Sequence, residues 1–377
     1  MLIPIVAIAV VLGVLEKPLA RYGCVASVVM VALLFSRSIP SFVFFACYLV
    51  LSFALAYYVM HLFKTEHPQR VARYRIALAA QIAPLAVYKI GVLFEPDFLG
   101  FIGISYITFK TVQMLIETRD GLIDHLNAFE YFYFLVFFPT ITSGPILRSR
   151  AFVESIEEKL TRDGYLELLY RGAGWFVLGA LYKFVAAALA QWLMWFAPSV
   201  IGSDTASAAI ASQLVYAFAY SLYLFFDFAG YSHMAVGLGF ALGVRVPTNF
   251  KAPFLAIDIK DFWNRWHITL SYWLRDFVFM RVARSIRRHK VVKSRVTASC
   301  IGYMCNMGLM GVWHGITPGY IAYGLYHGIL LSLNELYQRT DFYKKHKDSR
   351  VYKVCSWAIT MILVMFGFAL FSGQVPL

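Results

Sequence analysis

The sequence has little charge. Asp, Glu, Lys and Arg make up 15% of its 377 residues, while hydrophobic residues reach 60%, against roughly 45–50% in soluble globular chains. So few ionisable groups cannot cover a water-facing surface, which excludes an ordinary soluble domain, whereas lipid can solvate the apolar excess. Cysteine is scarce too. Cys24, Cys47, Cys300, Cys305 and Cys355 form an odd set with no C-x-x-C pair. They exclude a disulfide framework or thiolate metal site and read as small hydrophobes. No other metal ligand set stands out. Internal repeats and long low-complexity linkers are also missing, so residues 1–377 read as one integral membrane domain. The N-terminal stretch lacks a basic n-region and a small-residue cleavage site, which argues against a cleaved signal peptide.

What charge there is sits in three places. Residues 64–75 carry a net +3, residues 281–295 a net +7 with no acid, and residues 338–353 a net +4. The whole chain is +13, so the remainder is close to neutral. Basic residues confined to loops are a topology signal, not the basic stripe of a nucleic-acid binder. All three loops are expected on the cytoplasmic side, and counting back three spans from the first puts the N-terminus outside.

A membrane helix needs about 20 apolar residues. Candidate spans lie near 2–15, 23–36, 41–63, 76–94, 98–116, 130–145, 166–196, 207–229, 230–243, 296–313, 319–337 and 354–372. The stretches 2–15 and 230–243 are short, and 130–145 contains Pro139 and Gly144-Pro145. These three are candidates for re-entrant segments. The expected fold is all-α and polytopic, with about ten to twelve membrane helices plus interfacial and re-entrant ones.

Three regions carry polar chemistry. Residues 249–280, NFKAPFLAIDIKDFWNRWHITLSYWLRDFVFM, hold too many charges for a hydrocarbon span. On a helical plot Phe262, Trp263, Trp266, Leu270, Trp273, Leu274, Phe277 and Met280 share an arc of about 120°, and Asn264, His267, Ser271 and Arg275 share another of about 80°. An interfacial helix with an aromatic belt would explain the tryptophans. It leaves the imidazole, amide, hydroxyl and guanidinium at i, i+3 and i+4 spacing unexplained. Residues 311–328, GVWHGITPGYIAYGLYHG, place His314 beside Gly311 and Gly315 at a hairpin tip. Small neighbours admit a ligand or another backbone. His314 reads either as a functional intramembrane group or as a core histidine bonded to a carbonyl; the second reading suits His327 better. In the third region Tyr216, Tyr220, Tyr223, Asp227 and Tyr231 fall within about 80° of one another on a helix. This stripe faces a polar interior or packs helices together, and Asp227 favours the polar interior.

At this point the motifs resemble the membrane-bound O-acyltransferase family. DFWNRWHITLSYWLRDF, followed 47 residues after His267 by GVWHG with His314, is similar to its paired signature. DFAGYSHMAVGLG at 227–239 and FFPTITSGPILR at 137–148 fit the same order, although His233 in the first has no assignable role. WLRDFVFMRV and the basic stretch after it look more like the branch that D-alanylates teichoic acid than like the acetylating branches.

The resemblance implies helices around a central tunnel in a Gram-positive plasma membrane. The donor it implies is D-alanine on the phosphopantetheine thioester of a small acidic (DltC-like) carrier protein, with no cofactor bound to the chain itself. Further partners are a DltD-like membrane protein and a small single-span peptide. Acyl transfer to a hydroxyl needs a general base and oxyanion donors. The family match and its place on the hairpin make His314 the candidate base, while His267, with Asn264 and Ser271 on the same face, would orient the donor arm or stabilise the oxyanion. Arg265, Trp313, Asp227 and Tyr223 join them along the substrate path. Arg281, Arg284, Arg287, Arg288, Lys290 and Lys293 would dock the carrier or contact anionic lipid. Two other functions stay open: O-acetylation of a cell-wall or exported polysaccharide, and a transporter or flippase. The second would call for inverted repeats, and none is visible.

Overall fold

The computed structural model describes residues 2–95, 98–202 and 204–375, and among them every regular element is helical. The chain begins with α1 (Leu2–Val14), α2 (Leu19–Phe35), α3 (Ile39–Lys64), α4 (Arg70–Gly91) and α5 (Ile104–Arg119). Short α6 (Ala128–Val136) and α7 (Ser149–Glu157) follow. Next, α8 (Arg162–Leu181) runs through a π-helical turn, Tyr182–Ala186, into α9 (Ala187–Ile201), and α10 covers Ala206–Ala241. Then come α11 (Ile259–Trp263), α12 (Ile268–Leu274), a π turn at Arg275–Phe279, and α13 (Met280–Arg288). The chain closes with α14 (Arg295–His314), α15 (Pro318–Tyr337), α16 (Asp341–His346) and α17 (Arg350–Phe371). Side-chain caps set several starts: Ser38, Asn127, Asp258, Ser294 and Thr340 each accept a hydrogen bond from a first-turn amide.

Among the described residues, four helical stretches are long and apolar enough to cross a membrane: Ile39–Lys64, Arg162–Ile201, Ala206–Ala241 and Arg350–Phe371. The 40 residues of Arg162–Ile201 extend about 60 Å at 1.5 Å per residue, well beyond a hydrocarbon core of about 30 Å. One expectation is corrected here. Residues 207–229 and 230–243, taken as separate spans, run on as one 36-residue helix, α10, which ends at Ala241. Gly230, Gly237 and Gly239 do not break it. At Gly230 and Gly237 an added Cβ would strike the backbone of a neighbouring helix, so these glycines serve close packing. The segment 130–145 forms only nine-residue α6 and a 3-10 turn at Phe138–Thr140, too short to cross.

The chain divides into two compact units. The first holds residues 1–177 and 232–247. Its centre is α5, buried from Ile104 to Thr118 apart from Ser105. Polar groups on α5 are satisfied internally: Lys110 Nζ donates to the Phe134 carbonyl (2.7 Å), and Glu117 accepts from Ser149 (2.7 Å) and Gln113 (3.2 Å). At the unit's edge Arg245 grips Glu158 with two bonds of 3.0 and 2.8 Å. That hydrogen bonding holds the Glu158 carboxyl below its ordinary pKa.

The second unit holds residues 178–231 and 248–377. Its frame is the antiparallel pair α14 and α15, with α13 against α14 and α17 against α15. A Cβ on Gly311 would lie 2.4 Å from the Tyr320 carbonyl, and one on Gly324 would lie 2.5 Å from that of Met307. Two absent side chains thus let the helix backbones touch. The glycine beside His314 admits a backbone, which answers one of the alternatives left by the sequence.

Candidate active site

The sequence around His267 does not form one amphipathic helix. Asp258 caps α11, which ends after five residues at Trp263. His267 then sits in left-handed geometry, φ 42° and ψ 51°, before α12 begins. Asn249 holds this break. Its carbonyl accepts from Ile268 N (2.9 Å), and its Oδ1 accepts from Thr269 Oγ1 (2.6 Å) and Thr269 N (3.3 Å). The break re-phases the segment. His267 leaves the face of Asn264 and Ser271 and enters the core at 3% exposure, its ring edge-on to Phe228 at 4.8 Å. The shared face expected for these three residues is therefore corrected.

The tryptophans are also core. Trp266 packs on Phe225, Phe250, Phe262 and Phe368. The Trp263 indole donates to His327 Nδ1 at 3.4 Å. The aromatic belt of an interfacial helix is thus replaced by an interior aromatic cluster. Within it, neither nitrogen of His267 finds a hydrogen-bonding partner among the described residues. Burial lowers the pKa of its imidazole, and nearby His314 adds to that shift. A strained, buried, unsatisfied imidazole is costly to fold and is the kind of outlier that marks a functional position.

His314 ends α14 at the hairpin tip and is half-buried. Trp313, Tyr320, Tyr323 and Phe371 surround it, with ring centroids at 4.6, 6.0, 6.3 and 5.0 Å. Tyr220 of α10 lies near both Tyr320 and Tyr323. The α10 stripe therefore reaches this tip, with Tyr216 stacked on Tyr220 at 6.4 Å and Tyr223 beyond it at 6.5 Å. Asp227, one turn further on, is ion-paired with Lys183 in the π turn between α8 and α9.

His267 and His314 lie near enough for the charge of one to bear on the other. The family model described as MBOAT, membrane-bound O-acyltransferase family, matches residues 34–373. The chain belongs to the membrane-bound O-acyltransferase family. It is thus a multi-pass membrane protein and an acyltransferase. It is 38% identical to the teichoic acid D-alanyltransferase of Bacillus subtilis, over 97% of this chain and 93% of that protein. To the enzyme of the same name from Streptococcus thermophilus it is 35% identical, over 95% and 89%. The probable alginate O-acetylase of Pseudomonas syringae is 32% identical over 72% of this chain and 49% of its own length.

The remaining expected site residues of this acyltransferase fall into separate places. Asn264, Ser271 and Arg275 line a cavity of about 280 Å³ with Lys260, Tyr303 and Asn306. Among the described residues, neither His267 nor His314 lines it. Arg265 is held by Asp261 at 2.7 Å. Arg284, Arg287, Arg288, Lys290 and Lys293 are exposed on and after α13, while Arg281 lies over the Phe277 ring at 5.7 Å. His233 packs edge-on against Trp175 at 4.7 Å, and His327 is fully buried beneath Trp263.

Sequence reasoning missed Asn249, Lys183 and Asn306. Lys183 carried a usable signal, a lone cation inside an apolar run. Asn306 is 8% exposed, and its Oδ1 has no partner among the described residues. Asn249 gave no signal, because its role exists only once the chain has turned back on itself.

Proposed function

We propose that this acyltransferase moves D-alanine from a phosphopantetheine thioester on a small acidic carrier protein to teichoic acid across the membrane. The carrying observation is the near full-length similarity to teichoic acid D-alanyltransferases, where the alginate O-acetylase is matched over only half its length. The N-terminus and hairpin tip are read as outside and the basic loops as inside.

In this reading the carrier meets the cations of α13, and its thioester arm enters beside Asn264, Ser271 and Arg275. A tunnel joins that entrance to the histidines and the tyrosine stripe. His314 takes the proton from the acceptor hydroxyl as its oxygen attacks the thioester carbonyl. His267 donates from one ring nitrogen to the oxyanion, a role favoured by its neutral state and by the absence of any competing bond. Collapse forms the C–O bond and breaks the C–S bond. The leaving thiolate then takes the proton from His314. The arm retracts inward and the ester leaves outward, in company with a DltD-like partner and a small single-span peptide. Lys183 and Asp227 hold α10 so that Tyr220 and Tyr223 line the acceptor side.

The test is transfer in proteoliposomes supplied with carrier bearing radiolabelled D-alanine and with acetyl-loaded carrier in parallel. Movement of the D-alanyl label into teichoic acid is expected. Transfer of acetyl in its place would overturn the donor assignment and favour polysaccharide O-acetylation.

A further inference from the structure

The second basic segment of this unit, residues 338–353, rims a groove for which acyl transfer has no use. The groove lies between α15 and α17, is bordered at one end by α16, and encloses about 690 Å³, inside the roughly 300–1,000 Å³ range of small-molecule sites. Leu330 and Leu333 form one wall, Ile359 and Leu363 the other, and Phe342 and Val351 the mouth. From Val351 to Leu363 the groove follows α17 for about 18 Å. That matches one leaflet, half of a hydrocarbon core of about 30 Å. Leu333, Phe342, Val351 and Ile359 stay exposed, and among the described residues no helix covers them.

The mouth is net cationic, with exposed Asp348 the acid between Lys347 and Arg350. Lys345, Lys347, Arg350 and Lys353 are exposed and alternate along the chain with the lining residues His346, Ser349, Val351 and Tyr352. Lys344 and Arg339 are already paired, with Asp341 at 3.3 Å and Glu335 at 2.7 Å. The one carboxylate lining the groove, Asp258, is engaged by Gln338 (3.1 Å) and by the amides it caps. Tyr337, Tyr343 and Tyr352 cluster at the same level, with centroids 5.7 and 6.1 Å apart, as aromatic residues do at a membrane–water interface.

We propose that this groove binds one acyl chain of an anionic glycerophospholipid, its phosphate held by the cations between Lys345 and Lys353. Depth of one leaflet, apolar walls open to the membrane and a cationic rim at the headgroup level together specify that ligand. A zwitterionic lipid would match the walls and not the rim. A partner's membrane helix would run the full hydrocarbon thickness, beyond the one-leaflet depth of the groove.

The test uses the full chain in lipid nanodiscs containing a trace of phosphatidylglycerol with a diazirine in its tail. A phosphatidylcholine analogue runs in parallel, and photo-adducts are mapped by peptide mass spectrometry. Adducts on residues 330–337 and 351–363 are expected to exceed those from the choline lipid by at least about fivefold. Ile359→Trp, which fills the groove, should remove most of them. The exposed pair Lys345→Glu with Lys347→Glu should abolish the preference for the anionic lipid without disturbing the helices. Equal labelling by both lipids, labelling spread evenly over exposed residues such as Ile3 and Ile76, or labelling indifferent to both variants would overturn the proposal. So would a peptide co-purifying in the groove.

Discussion

His267 and His314 come from the same signature and occupy opposite environments. His267 is locked in a strained turn, buried with its ring edge-on to Phe228, and among the described residues neither of its nitrogens has a hydrogen-bonding partner. His314 stands at the open end of a hairpin, half-buried, among tyrosine rings. One imidazole has been given a fixed position at the expense of stability, and the other has been left reachable. A proton acceptor must meet its substrate, whereas an oxyanion donor must already be in place. The difference suits the proposed roles, acceptor for His314 and donor for His267.

That contrast can be broken in a definite order. His314→Ala should lower transfer by on the order of 10²–10⁴, the usual weight of a general base. Retained transfer in membranes would remove His314 from the chemistry. His267→Asn should cost about 10²-fold, the scale of one oxyanion donor, while thermal stability holds, since asparagine tolerates left-handed geometry. A fall in melting temperature with unchanged transfer would make His267 purely structural. Gly311→Val should destabilise the chain by about 1–3 kcal/mol through overpacking at the α14–α15 contact. If unfolding is unaffected, the hairpin does not fix His314. Smallest is charge reversal at Arg284, Arg287 and Arg288. It should raise KM for the carrier several-fold at low salt and little at high salt. A salt-independent effect would mean that α13 contacts lipid instead.

Much of this was legible in the sequence. The hairpin was readable because GITPG separates two apolar runs, and the basic loops because cations are rare elsewhere. The tyrosine stripe kept its phase because α10 is unbroken. The segment 249–280 was misread for the opposite reason. Its period looks helical throughout, yet Asn249 holds a turn at His267 that no local propensity announces. Periodicity reports a face only while the helix continues; one left-handed residue sends all that follows elsewhere. Lys183 shows in the sequence as a lone cation in an apolar run, but its partner Asp227, 44 residues away, does not.

The glycine contact between α14 and α15 also bears on how the chain is built. Net positive segments of +7 and +4 flank this pair, and neither has to be translocated if the two helices enter together. Gly311 and Gly324 let them associate backbone to backbone, leaving no room for lipid between. The hairpin is therefore fit to be released into the membrane as a finished unit. His314 would then reach its depth already wrapped by Trp313, Tyr320 and Tyr323, shielded from hydrocarbon during biogenesis.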